Sequence, residues 1–501
     1  MPEGKLYPVL TQPSIKRDGT KVAGNNYIDG QWMRFQRGLP RKIGGFKQLI
    51  SGLPNIIRDT FVIPISPNFH VYIADFATLK YFPIDQFGNN LGPLVDRTPA
   101  GFVVNPNNIW EFDTLYITTG NNSNLIAHAA PNLAFIDSPV ETPIYYGDIA
   151  ANTPLVPTGF NVSGGILSLS PYLIGFGNAG HVQIYSANDP TTLLNEARVT
   201  NQKIVAGFQT RGGNSSPAGL LWSLNSLIRM TQAGTVGIDF RFDTITDQSS
   251  ILSSSSVIEY DSRFFWCGID RFLTYNGIVQ EVPNQMNLNF FFQNLNYAQR
   301  QKIWATKVPQ FGEIWWFYPF GTATECDEAV IYNVRENSWY DTGINRSSGY
   351  FEQVYADPIW TKNTPDLDGN YSVWTHETGY DQNIDGELTA IPCFIETGDI
   401  AWVAVGPDGQ WTGTDRWVDL YRVEPDFWQQ VGDITLSVKG TEYAQGSPEV
   451  VGTYTLAVNQ SKQDMREQRR YMTLRFASDS LGGFFELGQL LLYFRIGDAR
   501  A

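Results

Sequence analysis

Four aspartates, Asp113, Asp239, Asp243 and Asp270, stand in or beside apolar runs of strand length. Carboxylates carried on separate strands can converge, and two converging carboxyls are the requirement for glycoside hydrolysis: one protonates the leaving oxygen while the other attacks or activates water. Their usual company is missing, since the chain has no Ser-x-Asp-x-Gly-x-x-Trp box and no identifiable arginine triad. Gly175-Phe-Gly-Asn-Ala-Gly180 has G-x-G-x-x-G spacing, but a dinucleotide turn must open a helix whose N-terminus faces the pyrophosphate. The next residues, His181-Val-Gln-Ile-Tyr185, alternate as a strand, so a hairpin turn is expected. Asp381-Gln-Asn-Ile-Asp-Gly-Glu387 begins like a calcium loop, yet the twelfth position, which needs a bidentate carboxylate, is Pro392. With Asp366-Leu-Asp-Gly-Asn370 it reads as Asx-turn chemistry rather than a weak cation site. His70, His128, His181 and His376 fall in separate segments without an i, i+4 pair, and Cys267, Cys326 and Cys393 form no C-x-x-C. Neither a G-x-S-x-G elbow nor a Cys-His signature occurs. The expectation is therefore no catalytic residue, no metal site, no cofactor and no enzyme.

The elements around these residues are short and repetitive. Arg263-Phe-Phe-Trp-Cys267, a turn at Gly268 to Asp270, and Phe272-Leu-Thr-Tyr275 read as a β-hairpin. Glu313-Ile-Trp-Trp-Phe-Tyr318, a loop, and Ala329 to Gly343 form a second. Similar units start at His70, Asp113, Tyr172, Leu220 and Tyr371, spaced by roughly 43 to 59 residues, near the period of a four-stranded propeller blade. Each hairpin is too short to bury its aromatic face alone, so neighbours of the same kind must cover it. The chain reads as all-β: a degenerate β-propeller of about six or seven blades over 61–387, then a β-sandwich-like platform domain over 388–501. In 388–501 strands are expected at Ala390 to Ile395, Trp417 to Val423, Ile434 to Val438, Thr453 to Val458, Tyr471 to Phe476 and Gln489 to Ile496, with Asp464 to Arg470 as a charged connector. Asn296, followed by Gln299, marks the start of a short helical insert preceded by Phe290-Phe-Phe292. Trp339 is expected as a core anchor.

Composition sets the remaining bounds. A chain of 501 residues with 42% hydrophobic and 14% aromatic side chains can bury a large core, and 46 Gly with 28 Pro suit a turn-rich all-β protein. The net charge of −15 argues against gripping nucleic acid through overall charge. Three separated cysteines suit a reducing compartment. The expectation is a soluble protein without a membrane-spanning segment or export signal.

Residues 1–60 do not read as a blade. Asn25 to Phe46 interleaves aromatics with basic side chains, which by itself reads first as an extended arm with solvated charges, as charge runs usually are, and alternatively as a subunit or adaptor contact surface formed by Tyr27, Trp32, Arg34, Phe35, Arg37, Arg41 and Lys42. This opening, Asn26-Tyr-Ile-Asp-Gly30, then Arg34-Phe35 and Gly38-Leu-Pro-Arg-Lys-Ile-Gly-Gly-Phe46, resembles the start of the tail hub or nozzle proteins of short-tailed bacteriophages, also called packaged-DNA stabilisation proteins. The likeness continues through Gly207-Phe208, Leu227-Ile-Arg-Met230, the Asp261 to Gly277 hairpin, Tyr297-Ala-Gln-Arg300, Ile314 to Tyr318, Val330-Ile-Tyr-Asn333 with Trp339, and strands near Arg416 to Val423 and Arg470 to Ile496. The resemblance implies a structural virion protein of the phage tail, made in the host cytoplasm. It implies a homohexameric ring below the portal and its adaptor, with residues 1–60 contributing to the platform. Tail fibres or tailspikes, a tail needle or plug, and DNA passing without sequence preference are the implied partners.

Overall fold

The computed structural model describes all residues except 1–4, 10, 22–24, 132–139, 211–217, 236–237, 352, 354, 356, 402–403, 406–410, 413–415 and 500–501. It is a seven-bladed β-propeller joined to a two-sheet platform. Six blades are four-stranded antiparallel meanders taken in chain order, from Asp59–Ile65 in the first to Ser338–Gly343 in the sixth. The seventh has three strands of its own, Ser348–Tyr350, Ile359–Thr361 and Tyr371–His376, and its fourth strand comes from the other end of the chain. Phe46–Leu53 pairs antiparallel with Tyr371–His376, from Tyr371 opposite Leu53 to His376 opposite Phe46. The hairpin Asp381–Ile384 and Glu387–Ala390 extends the same sheet.

The aromatic runs make strands because both faces of a middle strand are covered. In Glu313–Tyr318 every residue is buried, and alternation divides them: Ile314, Trp316 and Tyr318 enter the apolar cluster shared with the fifth blade, Trp315 and Phe317 the cluster on the opposite face. Among the described residues there are seven such buried clusters, one at each junction between blades. Tryptophans also bond across the junctions. The indole N–H of Trp110 donates to Asp75 O at 2.7 Å, Trp316 to Ser256 O at 3.0 Å and Trp339 to Pro283 O at 2.9 Å, so these three rings are buried without an orphaned donor. Trp339, 2% exposed, is the anchor its sequence context implied.

The platform draws on both ends of the chain. One sheet contains Met33–Gln36, Leu39–Lys42, Phe484–Ala499, Arg416–Val431 and Gln463–Arg469, with Lys5–Val9 alongside; the other contains Gln12–Ile15, Asn26–Gln31, Cys393–Thr397, Tyr471–Ser478, Ile434–Thr441 and Glu449–Leu456. Leu487, Leu490 and Leu492 of the first sheet meet Leu436, Leu474 and Phe476 of the second. That core continues without a break into Trp315, Phe317 and Trp360 of the propeller. Two sequence expectations are corrected here. The charged connector is a strand, Gln463–Arg469, which buries Met465 and turns its charges outward as edge strands do. The strands expected at Trp417 to Val423 and Gln489 to Ile496 are each 16 residues long, because bulges break their alternation without ending the pairing. The insert is the helix Leu288–Asn294 followed by a 3-10 turn Tyr297–Lys302, capped by the Asn296 side chain accepting from Ala298 N–H.

Candidate functional site

The innermost strands of all seven blades enclose an axial cavity of about 530 Å³. Four carboxylates line it, Asp59, Glu111, Asp113 and Glu259, among the aromatic side chains Phe61, Phe112, Phe208 and Tyr350. Glu259 pairs with Lys307 Nζ at 3.3 Å, and the charge of Lys203 acts on Glu111. Asp59, Glu111 and Asp113 face backbone N–H groups at the open inner edge of the strands. Glu111 Oε2 accepts from Ile166 N–H at 3.2 Å, and Asp113 Oδ2 accepts from Ser168 N–H at 2.7 Å, both on the neighbouring blade. Asp59 Oδ1 accepts from Thr60 N–H at 2.7 Å. Burial raises all three against these bonds, Asp59 and Glu111 to about 8 and Asp113 to about 6. At neutral pH Glu111 and Asp59 are therefore largely protonated. Chemically the cavity holds carboxylic acids beside a carboxylate, although Glu111 and Asp113 spend an oxygen each in joining the second blade to the third.

Of the aspartates singled out from the sequence, only Asp113 lies in this cavity. Asp243 sits on the outer strand of the fourth blade and pairs with Arg241, and Asp270 sits on a hairpin turn, 60% exposed, paired with Arg271. Asp239 falls on the same outer strand as Asp243, with its side chain outside the described residues. The convergence that the sequence left open for the four does not occur, because a strand on the blade rim cannot reach the axis. Asp59, Glu111 and Glu259 were missed. Glu111 and Asp113 are two apart on one strand and so share a side, a signal visible in the sequence once Asn108–Ile117 is recognised as an innermost strand.

The basic and aromatic segment is corrected more strongly. Tyr27, Trp32, Arg34, Phe35 and Lys42 are 1%, 3%, 1%, 0% and 1% exposed; they are the seam between platform and propeller, not a surface. Arg34 on Met33–Gln36 is its centre. Its Nε and Nη2 donate to Glu313 at 2.9 and 3.0 Å, its Nη1 to Glu377 at 2.8 Å, and its guanidinium lies 3.7 Å from the Phe311 ring. Tyr340 O–H and Trp315 N–H also donate to Glu313. Burial alone would depress Arg34, but Glu313 and Glu377 outweigh it and hold the guanidinium charged above its usual range. Phe35 packs on Tyr27 and Tyr340, Trp32 N–H donates to Thr342 Oγ1 at 2.9 Å, and Lys42 Nζ donates to Gly483 O at 2.8 Å. Arg37 is exposed, and Arg41 is partly so, 3.8 Å from Glu486. A second lock joins the same parts: Arg17 bridges Asp29 and Asp341, and the Asp18 carboxylate accepts from Asn289 and Phe290 N–H at the start of the helix, both at 2.8 Å.

The remaining motifs take their expected local shapes. Asn178–Gly180 is a turn leading into the strand His181–Ser186, and Asp381–Ile384 with Glu387–Ala390 is a hairpin in which Asn383 Oδ1 accepts from Gly386 N–H. Asp366 Oδ1 accepts from Asp368 and Asn370 N–H, an Asx turn. Among the described residues no group of three or more His, Cys, Asp or Glu is placed to hold a metal, and no helix is long and apolar enough to cross a membrane.

No protein-family model and no curated protein matches the chain. Among solved structures it is similar to the exo-β-1,3-galactanase of Phanerochaete chrysosporium, at 8% identity and a TM-score of 0.28 over 90% of this chain and 100% of that one. It is also similar to Raptor of Chaetomium thermophilum, at 8% identity and a TM-score of 0.39 over 67% of this chain and 29% of that one.

Proposed function

We propose that the chain is a structural virion protein, the tail hub or nozzle subunit of a short-tailed bacteriophage. It acts without catalysis, as one subunit of a homohexameric ring that continues the DNA exit channel below portal and adaptor. The observation that carries this reading is the division of charge. Residues 46–390 hold 32 acidic and 17 basic side chains, whereas residues 1–45 and 391–501 together hold 18 of each. The entire net charge of −15 thus belongs to the propeller side, which repels both its copies and passing phosphate. A neutral platform meets no such barrier and suits the heterologous contacts that close a ring. It also exposes Trp428 and Tyr443, each 69% accessible, of the residue types enriched at protein interfaces. Negative-stain images of the purified protein, alone and mixed with portal and adaptor rings, test the proposal: six-fold rings are expected on the adaptor. A particle that stays solitary and fails to bind the adaptor would sink it.

A second reading, a carbohydrate-binding or glycoside-cleaving propeller, is favoured by one observation, the axial cavity with its protonated acids beside aromatic rings. Incubation with bacterial surface polysaccharide separates the two, since release of reducing ends that disappears in the Glu111→Gln, Asp113→Asn double variant requires the enzyme.

A further inference from the structure

Arg346 lies in the connection into the seventh blade and is 3% exposed. Among the described residues no carboxylate is within ion-pair distance of it. Its Nε–H donates to His376 Nε2 at 3.1 Å, its Nη1 donates to Asn345 O at 2.8 Å, and its guanidinium lies 5.0 Å from the Phe46 ring. Its Nη2 has no partner. The indole Nε1–H of Trp360 is also buried without a partner, and that ring stacks against His376 with centroids 3.9 Å apart. Both orphaned donors therefore belong to side chains that touch the same imidazole. Because His376 accepts from Arg346 it is neutral, and burial with the nearby guanidinium keeps its pKa well below the ordinary value. A second cation is close, for burial and Arg346 both depress Lys362.

The cluster thus combines a permanent positive charge, a nearby amine whose own carboxylate neighbour is Asp366, and two unused donors, and among the described residues no carboxylate pairs with Arg346. Arg34, equally buried, meets two carboxylates. An arginine side chain cannot shed its proton to escape the cost of burial, and a buried charge without a counter-charge is among the least favourable arrangements in a protein. A water molecule would satisfy the donors and leave the charge uncompensated; an anion does both. One guanidinium and two donors suit a small monovalent ion, whereas phosphate or sulfate would bring more charge and more acceptor sites than the cluster can meet. We propose that Arg346 and Trp360 hold a chloride-class anion in the wall of the seventh blade, taken up as the chain folds.

The test compares unfolding midpoints of the full-length protein in sodium chloride, sodium bromide and sodium gluconate at equal ionic strength. Chloride and bromide are expected to raise the midpoint, relative to gluconate, by a saturating shift on the order of a few degrees. Arg346→Met is expected to abolish the difference and Trp360→Phe to move its midpoint to higher salt. Crystals soaked in bromide are expected to show an anomalous peak within hydrogen-bonding reach of Arg346 Nη2. Coincident midpoints in the three salts, an undiminished chloride response in Arg346→Met, or a water in place of bromide would each overturn the site. If Arg346→Met does not fold, the bromide map on the unaltered protein decides alone.

Discussion

At the seam, Glu313 and Glu377 are buried opposite the guanidinium of Arg34; at the axis, Asp59, Glu111 and Asp113 are buried opposite backbone N–H groups. The same functional group meets two fates. Opposite a cation the carboxylates stay paired and tie three distant parts of the chain together, although burial still raises Glu313 against the pull of Arg34. Opposite peptide dipoles they lose more solvation than they regain, and their pKa values rise. Acids at the seam are therefore fasteners, while acids at the axis are pH-dependent loads on the fold.

Removing the seam cation should produce the largest effect. Arg34→Met leaves two carboxylates buried side by side, at a cost of about 3–5 kcal/mol, read as a lower denaturant midpoint. A loss below about 1 kcal/mol would mean that the pair is not the fastener described. At the axis the sign reverses. Glu111 has a folded pKa of about 8 against an ordinary 4.5, so its stabilising contribution is complete below pH 4.5 and is lost as pH rises to 8. Unfolding measured across that range should show falling stability, and Glu111→Gln should flatten the slope, with a gain on the order of a few kcal/mol at pH 8. A steeper fall in the variant would contradict the assignment. A smaller loss, about 1 kcal/mol, is expected for Asp18→Ala, which removes an acceptor from the start of the insert helix; hydrogen exchange should then localise the loosening to residues 288–294. Asp270→Asn, on an exposed turn, should change the midpoint by less than about 0.5 kcal/mol, and a larger shift would remove the distinction between rim and buried carboxylates.

The parts that were readable in the sequence are those whose signal is local. The hairpin around Trp266 and the run Glu313–Tyr318 announce themselves by aromatic residues at strand length between turn residues, and Asn296 by its position before a helical turn. Of the four axial carboxylates Asp113 alone was found and Asp59, Glu111 and Glu259 were not, since nothing nearby marks which strand of a blade lies innermost. The Asn25 to Phe46 segment was misread as surface because its counter-charges are remote. Arg34 is 279 residues from Glu313 and 343 from Glu377, so within its own neighbourhood it resembles a solvated cation.

The sequence by itself determined the all-β class, the repeating hairpins and the insert, because alternation and turn chemistry act over a few residues. Only the tertiary structure decided that Phe46–Leu53 closes the seventh blade and that both termini build one platform. It alone showed which charges are buried, since closure, pairing partners and desolvation depend on atoms hundreds of residues apart.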